Sequence, residues 1–93
     1  MNNTENNEPI VSALSDNEVT KDIIKSLIVD LANKDGIVRV KARRQLVAYK
    51  KRSVSPLIKT LSNKNDWVRW EAAKALSQIG NRKAIKALRS PNR

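Results

Sequence analysis

The chain lacks the residues on which enzyme and metal chemistry most often depends. Its 93 residues contain no Cys and no His, and only three aromatic residues. The missing Cys excludes disulfides and thiolate nucleophiles, and the missing His removes a common zinc ligand and the usual general base near neutral pH. We therefore expect a protein that is not an enzyme, with no catalytic residue, no metal and no cofactor.

A membrane-spanning segment is also missing from the sequence. No apolar run approaches the roughly 18 residues that a membrane helix requires. The N-terminal segment is acidic and rich in Asn, unlike a basic and apolar targeting segment. The sequence therefore predicts a soluble, cytoplasmic protein that does not contact a membrane.

Positive charge is the most extreme feature that is present. The formal net charge is +10. Residues 1–22 carry five acids and one Lys, whereas residues 23–93 carry 18 Lys and Arg against four acids. A basic body of this kind attracts acidic partners over long range, subject to screening by salt, without specifying which acidic partner.

The N-terminal residues differ from the rest in apolar content. Residues 1–8 are polar after Met1 and cannot bury enough surface to offset their ordering entropy. We predict a disordered or weakly ordered tail over residues 1–15 and a folded domain over residues 16–90. Ser15 and Glu18 form a capping-box pattern, which predicts a helix from about Asp16 to about Asn33. Its apolar residues recur at steps of three and four: Val19, Ile23, Ile24, Leu27, Ile28 and Leu31.

The folded part contains an internal repeat of 30 residues. When residues 27–52 are compared with residues 57–82, ten of the 26 positions are identical, where unrelated sequences would give roughly one or two matches. Within each unit, two sets of helix-spaced apolar residues flank a polar link, which predicts two antiparallel helices. The identical pairs are Leu27/Leu57, Ile28/Ile58, Leu31/Leu61, Asn33/Asn63, Lys34/Lys64, Val38/Val68, Arg39/Arg69, Ala42/Ala72, Leu46/Leu76 and Arg52/Arg82.

Boundary residues indicate where the helices of the second unit begin and end. Ser55 is predicted to cap the first helix, with Pro56 in its first turn. Asp66 is predicted to cap the second helix, and Gly80 to end it in a left-handed conformation.

Residues 83–89 repeat the first-helix pattern through Ile85 and Leu88. The array is therefore predicted to end on a half repeat. Terminal repeats normally carry a polar outer face, so an uncovered apolar face here predicts self-association.

The segment Asp66–Gly80 closely resembles the second helix of HEAT-like repeats of the phycobilisome-lyase type. Those repeats read roughly Asp, Val-Arg, two residues, Ala-Ala, one residue, Ala-Leu and Ile-Gly. The first unit departs from this pattern at Arg43, Gln45 and Tyr49-Lys50. Over about residues 20–89 the resemblance implies an all-α fold, a right-handed α-α superhelix of about two and a half repeats. The family spans protein-binding scaffolds, pigment-attachment subunits and some DNA-repair glycosylases, so it implies architecture more strongly than function.

Two Arg residues follow acids at the start of the second helix of each unit. Arg39 follows Asp35 by four residues and Arg69 follows Asp66 by three, so each pair can meet across the first turn. In the repeats that this chain resembles, such residues form a ladder between neighbouring units. We interpret them as structural.

Trp67 and Trp70 form the first candidate binding surface. They lie three residues apart, off the core stripe of their helix, and Ile37 and Val40 occupy the equivalent positions in the first unit. Trp anchors contribute heavily to protein interfaces. Exposed, the four residues would bind a protein; packed between helices, they would be core.

A basic edge forms the second candidate surface. Two equivalent linkers are basic and are predicted to project on the same side of the stack, next to helix N-termini that favour anions. The alternative is a solvated edge that keeps the array soluble. The candidate anion-binding or nucleic-acid-binding residues are Lys50, Lys51, Arg52, Arg82 and Lys83, extended by Arg43 and Arg44.

These surfaces lead to three hypotheses. The first is a scaffold that binds another protein with an acidic surface through the Trp pair. The second is binding of nucleic acid or another polyanion at the basic edge, without sequence specificity and with strong salt dependence. The third is an accessory subunit of a lyase or a DNA-repair enzyme whose active residues lie elsewhere.

Overall fold

Five helices make up the described part of this computed structural model, which covers residues 16–89. Helix α1 is Asp16–Asp30, α2 is Gly36–Ala48, α3 is Lys51–Thr60, α4 is Asp66–Ile79 and α5 is Arg82–Arg89. No strand occurs over this range, so the predicted all-α class is confirmed. The predicted tail, the Ser15 cap and the predicted domain end at residue 90 lie outside the described residues. None of the five helices is long and apolar enough to cross a membrane.

The helices pack in two layers. Helix α1 packs against α2, α3 against α4, and α5 against α4. Helices α1, α3 and α5 form one layer, because α3 contacts both of its neighbours, and α2 and α4 lie side by side in the other layer. The arrangement is the predicted one of two hairpins followed by a single helix.

The core lies between the two layers and is built from the repeated apolar positions. Leu31, Leu46, Leu57 and Leu76 are fully buried. Burial of each such side chain contributes about 1.5–3 kcal/mol relative to exposure. The other buried apolar residues are Ile24, Leu27, Ala42, Val54, Leu61, Val68, Ala72, Ala75 and Ala84.

Both hairpins close their turns with the same hydrogen bonds. Arg39 Nη1 donates to the carbonyl oxygens of Asn33 at 2.7 Å and Lys34 at 3.1 Å. The Asn, Lys and Arg matches of the repeat therefore hold the turn within each hairpin. The second hairpin repeats these bonds from Arg69 to Asn63 and Lys64, at the same distances.

The two predicted ion pairs behave differently. Arg69 pairs with Asp66, as predicted. In the part of the chain that the structure describes, Arg39 forms no ion pair with Asp35. The reason is that Asp35 caps α2, where its Oδ1 accepts from the Ile37 amide at 2.9 Å.

Two predicted boundaries at the hairpin turns are wrong. Helix α1 ends at Asp30 rather than Asn33, because the next three amides donate to carbonyls three residues back instead of four. The cap of α4 is Asn65 rather than Asp66: the Asn65 Oδ1 accepts from the Trp67 amide at 2.8 Å. Gly80 ends α4 with φ 66, which confirms the predicted left-handed cap.

The predicted start of α3 at Ser55 and Pro56 is also wrong. The helix begins four residues earlier, at Lys51, and Pro56 lies inside it. Tertiary packing accounts for the earlier start, because Ser53 is fully buried and its Oγ donates to the Leu46 carbonyl at 2.6 Å. Ser55 is exposed and accepts a hydrogen bond from Lys83 instead of capping the helix.

Candidate protein-binding groove and basic edge

The cap of α4 determines where its two Trp side chains point. Asn65 anchors the first turn, and Val68 enters the core with 2 % of its surface exposed. Trp67 and Trp70 flank Val68 by one and two residues and therefore point away from the core. Trp67 is 58 % exposed and Trp70 is 53 % exposed. Of the two alternatives that the sequence left open, packing in the core is therefore excluded, and both side chains lie at the surface.

The equivalent residues of α2 lie beside the two Trp residues. Ile37 is 68 % exposed and Val40 is half-buried. Because α2 and α4 pack side by side, all four apolar residues line one depression between them. The structure thus brings together the four residues of the predicted protein-binding surface. We name this depression the aromatic groove. Its lining also includes five basic residues and two acids: Arg39, Lys41, Arg43, Arg44, Lys74, Asp35 and Glu71.

Cations lie against both Trp rings of the aromatic groove. The Arg39 guanidinium carbon is 4.4 Å from the centroid of the Trp67 ring. The Lys74 Nζ is 4.7 Å from the centroid of the Trp70 ring. The contact of the exposed Lys74 contributes about 0.5–1 kcal/mol, and each contact holds a positive charge beside a large apolar face. The groove therefore combines aromatic surface with positive charge.

A buried ion pair lies beneath the groove and joins α2 to α4. Arg43 Nη1 donates to Glu71 Oε1 at 2.7 Å, and Arg43 Nε donates to Gln78 Oε1 at 3.2 Å. Arg43 and Glu71 are 7 % and 3 % exposed. The prediction that Arg43 extends the exposed anion-binding surface is therefore wrong, because its guanidinium is enclosed between the helices and already paired.

The basic edge is assembled from two helix starts. Lys50, Lys51 and Arg52 lie at the start of α3, Arg82 and Lys83 lie at the start of α5, and all five are exposed. One hydrogen bond joins the two helices near this edge: Lys83 Nζ donates to Ser55 Oγ, one turn into α3, at 2.8 Å. Within the described residues, no acid lines the depression beside Lys50, Lys51 and Arg52; the remaining lining residues are Val47, Tyr49, Gln78, Ile79 and Asn81.

Arg44 does not belong to this edge. The residue is exposed but lines the aromatic groove together with Lys41, on the outer side of α2. Lys51 lines the separate depression at the start of α3. Arg44 and Lys51, which were expected to belong to one basic edge, therefore lie on two separate surfaces.

Sequence reasoning missed three residues that shape these surfaces, and two of them carried a readable signal. Lys74 follows Trp70 by four residues, the spacing at which helical side chains meet. Asn65 lies 30 residues after Asp35, so the repeat itself pointed to the cap. Glu71 replaces Lys41 of the first unit, but its partner Arg43 became apparent only once α2 and α4 were adjacent.

Comparison with known families supports the helical-repeat assignment. A family model described as HEAT repeats matches residues 24–90, which is more than two thirds of the chain. No curated protein and no solved structure matches the chain. The family match covers every helix from the middle of α1 to α5, and the chain therefore belongs to the HEAT repeat family.

Proposed function

We propose that this protein is a non-catalytic scaffold that binds another protein in the aromatic groove. The observation that carries the proposal is the exposure of Trp67 and Trp70, each more than half exposed, beside Ile37 and Val40 in one depression. HEAT repeats are generally protein-interaction scaffolds, which supports the same function. The partner is expected to present apolar side chains to the Trp rings.

The charge around the groove adds a preference for an acidic partner. Lys41, Arg44 and Lys74 are exposed along its length. Complementary charge mainly raises the association rate and disfavours basic partners. Its effect on the affinity itself is smaller. The buried Arg43–Glu71 pair joins the two walls of the groove, so its shape is held before the partner binds and less ordering entropy is lost on binding.

Alanine substitutions of the two Trp residues test this proposal. The full chain is used to capture partners from its native cell, and one captured protein is then purified and titrated by calorimetry. Trp67→Ala and Trp70→Ala are each expected to weaken that complex by about 2 kcal/mol, or roughly 30-fold in Kd. Circular dichroism should show unchanged helicity, because both side chains lie mostly outside the core.

Val29→Ala is the matched control. Val29 is a large apolar residue on α1, away from the groove, and is 71 % exposed. This variant should bind the purified partner as the unchanged chain does. Equal affinity for both Trp variants and the unchanged chain would exclude the groove as the binding site.

Polyanion binding at the basic edge is the second candidate function. The observation that favours it is the depression beside the exposed Lys50, Lys51 and Arg52, which no acid lines among the described residues. Such an edge would contact nucleic-acid phosphates without reading their sequence.

Duplex DNA of random sequence tests the second candidate. Binding should fall steeply with salt, and Lys51→Glu with Arg52→Glu should reduce the salt slope by about two phosphate contacts. Lys34→Glu with Lys64→Glu is the matched control, because both Lys are exposed at the hairpin turns, away from the edge. If the two double variants weaken DNA binding equally, binding depends only on the net charge of the protein. The basic edge would then not be a specific DNA-binding site.

The narrower family assignment is likewise a proposal. The sequence of α4 supports a repeat of the phycobilisome-lyase type, and the lack of Cys and His supports a protein without its own catalysis. Under this assignment a role as accessory subunit of a lyase or repair enzyme would use the same aromatic groove to bind the catalytic chain.

A further inference from the structure

Helix α1 presents a partly exposed apolar flank. Ile23 occupies in α1 the position that Ser53 occupies in α3, 30 residues later. Ser53 is fully buried, and its Oγ bonds to Leu46 of the preceding hairpin, so this flank of a first-layer helix faces the unit before it. In α1 the same flank carries Ile23 at 38 % exposure and Val19 at 41 % exposure.

Helix α5 presents the opposite flank. Ile28 lies five residues after Ile23, about 140° around the helix, and is half-buried against the core. Ile58 repeats this placement in α3, and Ile85 is the equivalent residue of α5. Ile85 is 36 % exposed, with the half-buried Leu88 beside it. The flank that faces a following unit is thus apolar and partly exposed.

The two flanks carry opposite charges. On α1, Asp22 and Asp30 lie three and seven residues after Val19 and Ile23, which places them beside the apolar stripe. On α5, Arg82 and Arg89 lie three residues before and four residues after Ile85. Helix α5 carries four basic residues and no acid. The α1 flank is therefore apolar with an acidic border, and the α5 flank is apolar with a basic border.

We propose that copies of this chain associate head to tail, with α5 of one copy packed beside α1 of the next. The contact extends the first layer in the way that α3 already packs between α1 and α5 within one copy. A heterologous contact of this kind does not close on itself unless its rotation allows a ring, so it leads to open chains of copies. The proposal does not rest on the proposed protein-binding function, since it uses other residues.

The second layer makes this contact weaker than the packing within one copy. Between α2 and α4 the buried Arg43–Glu71 pair joins neighbouring units. At the junction between copies, no second-layer helix among the described residues completes a hairpin with α5, so α4 of one copy and α2 of the next are not neighbours. No buried ion pair can form there. Association is therefore reversible and depends on protein concentration.

Two complementary variants of the full chain test the polarity of the contact by sedimentation velocity. Ile23→Asp blocks the α1 flank and Ile85→Asp blocks the α5 flank, so each should weaken self-association at least about tenfold. Mixed in equal amounts, they should form a dimer that grows no further, because each variant keeps one intact flank. Val29→Asp is the control, because Val29 is 71 % exposed but lies about 120° from Ile23 around α1; it should associate as the unchanged chain does.

A second test reverses the charges at the borders of the two flanks. It applies if Ile23→Asp or Ile85→Asp unfolds the chain. Asp22 and Arg82 are both exposed, and Asp22→Lys or Arg82→Glu alone should weaken association several-fold, with recovery when both are present in one chain. An unchanged chain that stays monomeric at all concentrations would overturn the proposal. So would a mixture of the two Asp variants that does not dimerise, or single variants that associate as before.

Discussion

Hairpin α1–α2 and hairpin α3–α4 use the same residues to hold themselves together and different residues to contact each other. Leu46 and Leu76 occupy equivalent positions and are both fully buried. At other equivalent positions the buried Arg43 corresponds to the half-buried Ala73, and the exposed Lys41 corresponds to the buried Glu71. The repeat therefore specifies a hairpin, and the deviations from the repeat specify how one hairpin meets the next.

The largest expected effect comes from the residue pair that distinguishes the two hairpins. Glu71→Leu should lower the free energy of unfolding by about 3–5 kcal/mol, because it leaves the Arg43 guanidinium buried without its partner. Urea unfolding followed by circular dichroism measures the loss. Arg43→Leu combined with Glu71→Leu should recover part of it, since an apolar pair of similar volume is often neutral. Recovery stays incomplete because Arg39, whose Nε lies 3.8 Å from Glu71 Oε2, also loses its ion pair.

Lys41→Leu is the control for this prediction. Lys41 occupies the equivalent position in α2 but is exposed, so its substitution should change stability by less than about 0.5 kcal/mol. A double variant less stable than Glu71→Leu alone would show that Arg43 contributes mainly through contacts other than the ion pair.

The next effect tests whether the two cores are equivalent. Leu46→Ala and Leu76→Ala should each cost about 2–4 kcal/mol, because each leaves a cavity at a fully buried position. Both are measured by urea unfolding. If one costs far less than the other, its hairpin relaxes around the cavity and the two cores are not equivalent.

A smaller effect comes from the linkers that follow α2 and α4. Lys50 adopts φ 55 and ψ −126, whereas its equivalent Gly80 adopts φ 66 and ψ 14. A residue other than Gly with this backbone costs about 1–3 kcal/mol, so Lys50→Gly should stabilise the fold by about 1 kcal/mol after the entropy cost of Gly. Gly80→Ala should destabilise by about 1 kcal/mol; the added Cβ would lie 3.5 Å from the Ser77 carbonyl oxygen, an ordinary contact. Thermal unfolding measures the stability of both variants. A loss of stability in Lys50→Gly would contradict the inference that the Lys50 backbone is strained.

The smallest effect concerns the caps of α2 and α4. Asp35→Ala and Asn65→Ala should each cost about 1 kcal/mol, because each removes the acceptor for a free amide of the first turn. Asp66→Ala should cost less than about 0.5 kcal/mol, since it removes only an exposed ion pair with Arg69. Equal losses for Asn65→Ala and Asp66→Ala would mean that the ion pair contributes as much as the cap.

The fold was largely predictable from local patterns, whereas the exact helix ends were not. The apolar spacing at Leu27, Leu31, Leu57 and Leu61 indicates helices that bury one stripe, and the 30-residue identity indicates that the hairpin recurs. The start of α3 was missed because Ser55 and Pro56 resemble a cap and a first turn. The helix instead begins where the side chain of Ser53 reaches a carbonyl of the preceding hairpin, a contact that local sequence does not reveal.

The sequence predicted most residues of the candidate surfaces, but it did not predict which basic residue belongs to which surface. Trp67, Trp70, Ile37 and Val40 were expected to share a surface, and they do. Arg43 and Arg44 were assigned together because both are basic and lie on the second helix of the first unit. Only Arg44 is exposed, since consecutive residues of a helix point about 100° apart and the one that turned toward α4 met Glu71.

The pattern of apolar residues alone specifies a stack of helical hairpins. Apolar residues that recur with a period of 3.6 form a stripe along one side of a helix, and this stripe is shielded from water only when it packs against the stripe of another helix. Which side chains remain at the surface depends on what the neighbouring hairpin places opposite them. Arg43 is buried because Glu71 neutralises it across the interface, and Trp67 and Trp70 are exposed because α2 covers only part of the face of α4. Both outcomes depend on distances between residues far apart in the chain, and those distances exist only once the hairpins have packed.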